Sequence, residues 1–458
     1  MILQSFLVYL PALLAGFGVA HLLWKDSRPA ALLLKVFSGM GLGLGITSCL
    51  YFLRLLLLPG QDGYLLLESI FLITVVVILL LQKSNFNFIS LKSFSPSWIG
   101  VVLGCAVILV GIIALYYSVV VARLAPHGDY DAQAIWNLRA RFIYRSGDTW
   151  QNAFSPLINR NFHMDYPILV PVSVVGGWNI LGGEVLRVPP VLSMIFLLGM
   201  AGILYSALAY LRSHSQAAIA TMILLATPGL LLFSTFQTAD IPLTYFFLAS
   251  VSLFVLAGNA DNRSLFFLSG LMAGFSAWTK NEGIPFLLLM ILFAGLVFGL
   301  QRSRAHILSL LAGMSFPLMT IFLFKIFISV NNDLFTNNGL TEMIGKVLEP
   351  TRYLQILTHL ATEFLHLGNW PISIIAILLL YGWIIGIRQP DNWAEKAAWI
   401  VPAAQLTMYM FVYVVTPHDL QWHMNYSMSR LLIHLFPLAL FSYFLFVNTP
   451  EAALNKAK

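Results

Sequence analysis

Apolar runs of about 18 residues or more recur from one end of this chain to the other, each long enough to cross a bilayer core as a helix. In lipid every backbone N–H and C=O must be satisfied within the spanning structure, so such runs are confined to a bundle of helices. Length and polar punctuation give about thirteen of them. They lie near 2–24, 31–58, 64–82, 97–121, 186–211, 217–236, 241–258, 265–280, 284–301, 306–329, 370–387, 397–415 and 431–448. The run at 265–280 is the shortest. Only 10% of the 458 residues are charged, where a soluble protein carries roughly 25%. A large soluble core cannot absorb that deficit, and no soluble domain is visible. The expected fold is therefore an all-α polytopic membrane protein. Cys49 and Cys105 both fall in apolar runs and form neither a disulfide framework nor a metal motif.

The formal charge of +6 says less than its placement, and no nucleic-acid partner is expected. Lys25 and Arg28, Lys83 and Lys92, Arg212, Arg263, Arg302 and Arg304, and Arg388 and Lys396 fall in alternate connections. Lys456 and Lys458 of the tail fall on the same side. The positive-inside rule makes that side cytoplasmic, with the N-terminus outside and the C-terminus inside. The run Met1–Trp24 lacks the Lys/Arg-rich start of a cleaved signal and reads as a retained span. Two long connections, 122–185 and 330–369, and a shorter one at 416–430 land on the outer side. They hold most of the acidic, His and Trp residues outside the spans, so function is expected there.

The first long loop contains HGDYDAQAIWNLRARFIYRSGDTW (127–150). Its pattern predicts an interfacial helix from Ala132 to Tyr144, with Ala134, Ile135, Leu138 and Phe142 on the apolar side and Asn137, Arg139, Arg141 and Arg145 facing elsewhere. Asp129 and Asp131 stand just before it, where a carboxylate either caps the helix or serves as a general base. A second stretch, 161–183, is too short in its apolar part to span. Pro167 and Pro171 are expected to break a helix there, and four glycines to loosen it. A second interfacial segment fits, with His163, Asp165 and Tyr166 at its polar end.

Asp240 lies between two apolar runs, just before Pro242. A carboxylate there is costly and so is functional or partnered, unless it caps the following helix. Lys280 ends a span and is followed by Glu282; it pairs with that acid, snorkels, or binds an anion. Arg430 opens the last run after His418, Asp419 and His423, placed for a phosphate or for headgroup anchoring. Lys325, inside an apolar run, reads as a snorkelling lysine. Trp136, Trp150, Trp178, Trp370 and Trp422 read mostly as an aromatic belt, and Gly270 with Gly274 as a helix-packing pair.

Taken in order, these residues resemble the GT-C class of membrane glycosyltransferases, in the branch of lipid A aminoarabinose transferases, protein O-mannosyltransferases and bacterial lipopolysaccharide-core sugar transferases. Four features carry the resemblance. Asp129-Tyr130-Asp131 leads an interfacial helix ending at Ser146-Gly147-Asp148, and His163-Met164-Asp165-Tyr166-Pro167 opens the second segment. QTADIPLTYFF (237–247) and GLMAGFSAWTKNEG (270–283) are similar to two further family blocks. DLQWHMNYSMSRLL (419–432) resembles a distal block of the bacterial members. The chain departs from the pattern in its three extra leading spans, in Ala132 where many relatives have an acid, and in lacking a large C-terminal soluble domain. The resemblance implies a GT-C-like bundle with three extra transmembrane helices at 1–96. A catalytic core at 97–330 would carry the outer loop 122–185, and the outer loop and C-terminal helices would fill 331–458.

The resemblance and the residues together suit one reaction. A sugar on a polyprenyl-phosphate carrier would pass, with inversion, to a hydroxyl of a lipid, polysaccharide or protein. Asp131 or Asp129 would act as base, and Lys280, Arg430 and Arg139 would neutralise the leaving phosphate. Asp240, His163, Asp165, Tyr166 and Glu282 would shape the acceptor pocket or hold an optional Mg or Mn ion. The expected location is a bacterial inner membrane, with the site on the periplasmic or external face. The rival reading is a transporter or flippase of lipid-linked sugars, which predicts ionisable groups at mid-bilayer and related halves. A second rival is a non-catalytic subunit of an envelope complex.

Overall fold

A computed structural model of the chain describes residues 2–58, 63–82, 98–155, 157–158, 163–300, 303–328 and 339–452. Lys83, Lys92, Arg302, Lys456 and Lys458 of the charge alternation lie outside the described residues, as do 161 and 162 of the second stretch. The helices are α1 Ile2–Leu7, α2 Leu10–Leu23, α3 Pro29–Leu57, α4 Tyr64–Leu81, α5 Trp98–Leu124, α6 Asn137–Ser146 and α7 Leu169–Leu181. Next come α8 Val188–Leu211, α9 His214–Ala226, α10 Pro228–Thr235, α11 Asp240–Ala260, α12 Arg263–Thr279, α13 Gly283–Leu300 and α14 Arg304–Phe327. The last five are α15 Leu340–Val347, α16 Pro350–Leu365, α17 Ile374–Ile385, α18 Trp393–Val415 and α19 Leu420–Phe446. Among the described residues 9 helices are long and apolar enough to span, or 11 if each of two bent pairs counts as one. The chain is an all-α polytopic membrane protein.

Two expected spans are broken. The 217–236 run is α9 and α10, bent by 61°. Thr227 precedes Pro228 and is extended (ψ 111°), as a residue before proline must be. The 370–387 run yields only the 12 residues of α17, about 18 Å of helix. The helical stretch before it, Pro350–Asn369, meets it at 84°. The two breaks touch, because Trp370 Nε1 donates to Thr227 Oγ1 at 3.2 Å.

α11 is the central post, buried continuously from Asp240 to Ala257. Close backbone approach binds its surroundings. A Cβ on Gly270 would stand 2.1 Å from the Leu310 carbonyl oxygen, and one on Gly313 2.0 Å from that of Phe267. Only hydrogen fits, so α12 and α14 touch main chain to main chain. The leading helices pack the same way: a Cβ on Gly43 of α3 would lie 1.9 Å from the Ala12 oxygen of α2. Tyr245 of α11 then fastens α3 to the core, donating to Phe37 O at 2.6 Å and accepting from Gly41 N at 2.9 Å.

The connections gather at two ends. At one, Arg28 pairs with Asp26, Tyr210 donates to the same carboxylate, Arg212 donates to Val447 O and Asn392 to Asn259. The loop 122–185, the turn before α11 and the turn after α12 meet at the other. Among the described basic residues of the alternation, Arg28, Arg212 and Arg388 thus lie at the end opposite the loop 122–185.

Candidate active site

At the long-loop end, the turn into α11 is tight. Gln237 takes a left-handed φ of 60°, and its side chain accepts from Asn137 Nδ2 at 3.0 Å and donates to Pro126 O at 3.2 Å. Two segments 100 residues apart are locked there, which sets Asp131 beside Asp240.

Asp240 is 1% exposed and does not act as a helix cap. Its Oδ1 accepts from Lys280 Nζ at 2.9 Å and His434 Nε2 at 2.8 Å. Its Oδ2 accepts from Thr238 Oγ1 at 2.8 Å and lies 3.4 Å from Arg430 Nε. A buried carboxylate with this many charged and polar donors is compensated. Arg430 also reaches Asp131, Nη1 to Oδ2, at 2.5 Å. Asp131 makes no side-chain capping bond; its half-buried carboxylate is instead held by Arg430. Asp129 is tied through its backbone N to Phe236 O at 3.2 Å. Lys280 Nζ bridges Asp240 and Glu282 Oε1, the latter at 2.8 Å. Burial alone would raise the Glu282 carboxyl, but Lys280 overrides it and holds the group below its usual range.

A second set of residues walls the cluster. Tyr166 stacks between His163 (centroids 4.7 Å apart, 6° between planes) and Trp136 (5.7 Å, 18°), with Lys280 Nζ 5.7 Å from its ring centroid. Burial, then Glu282, pushes its phenol up. Asp165 accepts from Asn281 Nδ2 at 2.5 Å. Lys325 does not snorkel: its Nζ donates to Asp165 O at 2.5 Å and Asn281 Oδ1 at 3.2 Å, tying the 163–167 turn to the 280–282 turn.

Several expectations need correction. Residues 132–136 form a π-turn before α6, which shifts the helical phase. Asn137 and Arg139, expected to face away from the core, are buried. Arg139 turns its guanidinium to the carbonyls of His163 (2.5 Å) and Tyr166 (3.5 Å), and burial lowers it to about 10 against the pull of Asp165. It braces the Tyr166 turn. Pro171 does not break α7. It lies in the first turn, where its missing N–H costs no helical bond. Gly176 and Gly177 admit Tyr64 and Val188 instead of loosening the helix, with hypothetical Cβ contacts of 2.4 and 2.7 Å. Trp136, Trp150 and Trp178 are buried, not belt residues.

His434, Thr238, Asn281, Tyr409 and Gln405 were not anticipated. Among the described residues no group of three or more His, Cys, Asp or Glu is gathered to hold a metal ion. Asp131, Asp240 and Glu282 each face a protein cation, Lys280 or Arg430.

Residues 167–328 match the family model described as dolichyl-phosphate-mannose-protein mannosyltransferase. Over those residues, about a third of its length, the chain is similar to a membrane glycosyltransferase of GT-C type. No curated protein and no solved structure matches it. The glycosyltransferase match includes Asp240, Lys280, Glu282 and Lys325, while Asp131, Arg430 and His434 reach the same point from outside it. Asp240 opens α11 and Lys280 follows the end of α12, while Arg430 and His434 meet them from within the 27-residue α19. The family match gives the transporter reading no support.

Proposed function

We propose that this glycosyltransferase moves a sugar from a polyprenyl-phosphate carrier to an acceptor hydroxyl of a lipid, polysaccharide or protein, by direct displacement with inversion. The supporting observation is the convergence of Asp131, Asp240, Lys280 and Arg430, from four separate segments, on one ion-pair network. The acceptor oxygen bonds to the anomeric carbon while Asp131 takes its proton. The bond from that carbon to the phosphate oxygen breaks, and its electron pair leaves with the phosphate, which gains one negative charge. Lys280 and Arg430 stand ready to stabilise it.

The network holds three carboxylates (Asp131, Asp240, Glu282) against two cations, so an entering phosphate must displace a carboxylate. The Asp131 side chain is 26% exposed and that of Asp240 1%; Asp131 is the one free to swing. Donor binding would move Arg430 from Asp131 to the phosphate and leave Asp131 open to the acceptor. Tyr166, His163, Asp165 and Glu282 would form the acceptor wall, with Arg139 holding it in shape. Protein cations suffice for one phosphate, so activity should survive EDTA. The site would face the periplasm or exterior of a bacterial inner membrane, where a lipid-linked donor replaces nucleotide sugars. Mannosyl polyprenyl phosphate is the first donor to try, given the family matched. Purified Asp131→Asn and Asp240→Asn should each lose transfer of labelled sugar; full activity in both would sink the mechanism.

A further inference from the structure

Arg430 and His434 stand four residues apart on α19, on one face, and both point at Asp240. His434 is 0% exposed, so it touches Asp240 but not a substrate arriving from the mouth. An ionised carboxylate only accepts, which puts the hydrogen on Nε2 at 2.8 Å from Asp240 Oδ1. Nδ1 then accepts from Tyr409 OH at 3.4 Å. One turn before Tyr409, Gln405 Nε2 donates to Glu282 O at 3.1 Å. The hairpin α18–α19 therefore braces both acids that flank Lys280.

We propose that His434 is a positioning residue for sugar transfer: its Nε2–H fixes the Asp240 carboxylate so that Lys280 and Arg430 stay presented to the donor phosphate. This rests on the transferase reading above. Without that bond, Asp240 turns toward its two cations and draws them from the mouth. The extra phosphate charge appears only as the glycosidic bond breaks, so the loss falls on kcat more than on KM.

The test uses the full chain in nanodiscs with radiolabelled mannosyl polyprenyl phosphate as the probe. His434→Phe should lower kcat on the order of 10- to 100-fold, with donor KM changed by less than about 3-fold. His434→Gln places an amide N–H near the Nε2 position and should recover most of the loss. Tyr409→Phe, which removes the Nδ1 partner, should fall between. Wild-type kcat in His434→Phe overturns the proposal, and so does an equal loss in His434→Gln when both variants elute as monodisperse protein. Independently of turnover, 15N-histidine NMR of the wild type, assigned by its difference from His434→Gln, should show the Nε2–H tautomer. An imidazolium or Nδ1–H form overturns the proposed contact. A wild type inert toward this donor, with the Nε2–H tautomer present, counts against the transferase reading while the hydrogen bond stands.

Discussion

Asp131→Asn and Asp240→Asn should be alike in activity and unlike in stability. At Asp240 the charge is buried and serves Lys280, Arg430, His434 and Thr238 together. Removing one partner of a buried pair costs about 3–5 kcal/mol. Here Lys280 keeps Glu282 at 2.8 Å and Arg430 keeps Asp131 at 2.5 Å, and asparagine still accepts one hydrogen bond. The expected loss shrinks to about 2–4 kcal/mol. Asp131 is a quarter exposed and shares Arg430 with Asp240, so its asparagine variant should cost no more than about 1 kcal/mol. Unfolding in mild detergent, followed by tryptophan fluorescence, reads the difference, and transfer assays on the same samples read activity. Equal destabilisation by the two variants, or a stable Asp240→Asn, would refute the picture of one buried anchor and one mobile base.

The Glu282 carboxyl lies below its usual range, so the stability it contributes is present above the unfolded value near ~4.3 and is lost as pH falls through the folded value. Glu282→Gln should flatten the acid limb of stability against pH. Gly270→Ala pushes a methyl into the Leu310 carbonyl at 2.1 Å and should cost about 1–3 kcal/mol by separating α12 from α14. Tyr245→Phe removes the bonds to Phe37 O and Gly41 N; unfolding should show a loss of roughly 1–2 kcal/mol, with α3 more open to protease.

The membrane character and most of the long helices were legible because apolar length is a direct physical signal. The exceptions have physical causes: Pro228 bends one run, α17 is too short for another, and α15 and α16 are amphipathic and carry no apolar run to mark them. Asp131, Asp240, Lys280 and Arg430 could be singled out because charge at a span edge is expensive wherever it occurs. His434 could not. It sits in LLIHLFPL (431–438), where a lone histidine on an apolar face is most often a core residue, and its partner is 194 positions away. Arg139 is buried against its helical-wheel position because the π-turn at 132–136 shifts phase without any composition signal. Lys325 carries no sequence sign of its role, because its partners, Asp165 and Asn281, come from two distant turns.

The glycine contacts between α2 and α3 bear on how the protein is made. They join residues close in sequence, so the pair can zip together as soon as both helices are in the bilayer. What it lacks at that moment is Tyr245, more than 200 positions later. The glycine at 41 thus joins an early, local hairpin to a residue made much later. A Cβ there would stand 2.2 Å from the Tyr245 ring, so a side chain at 41 would leave the hairpin able to pair and α11 unable to dock.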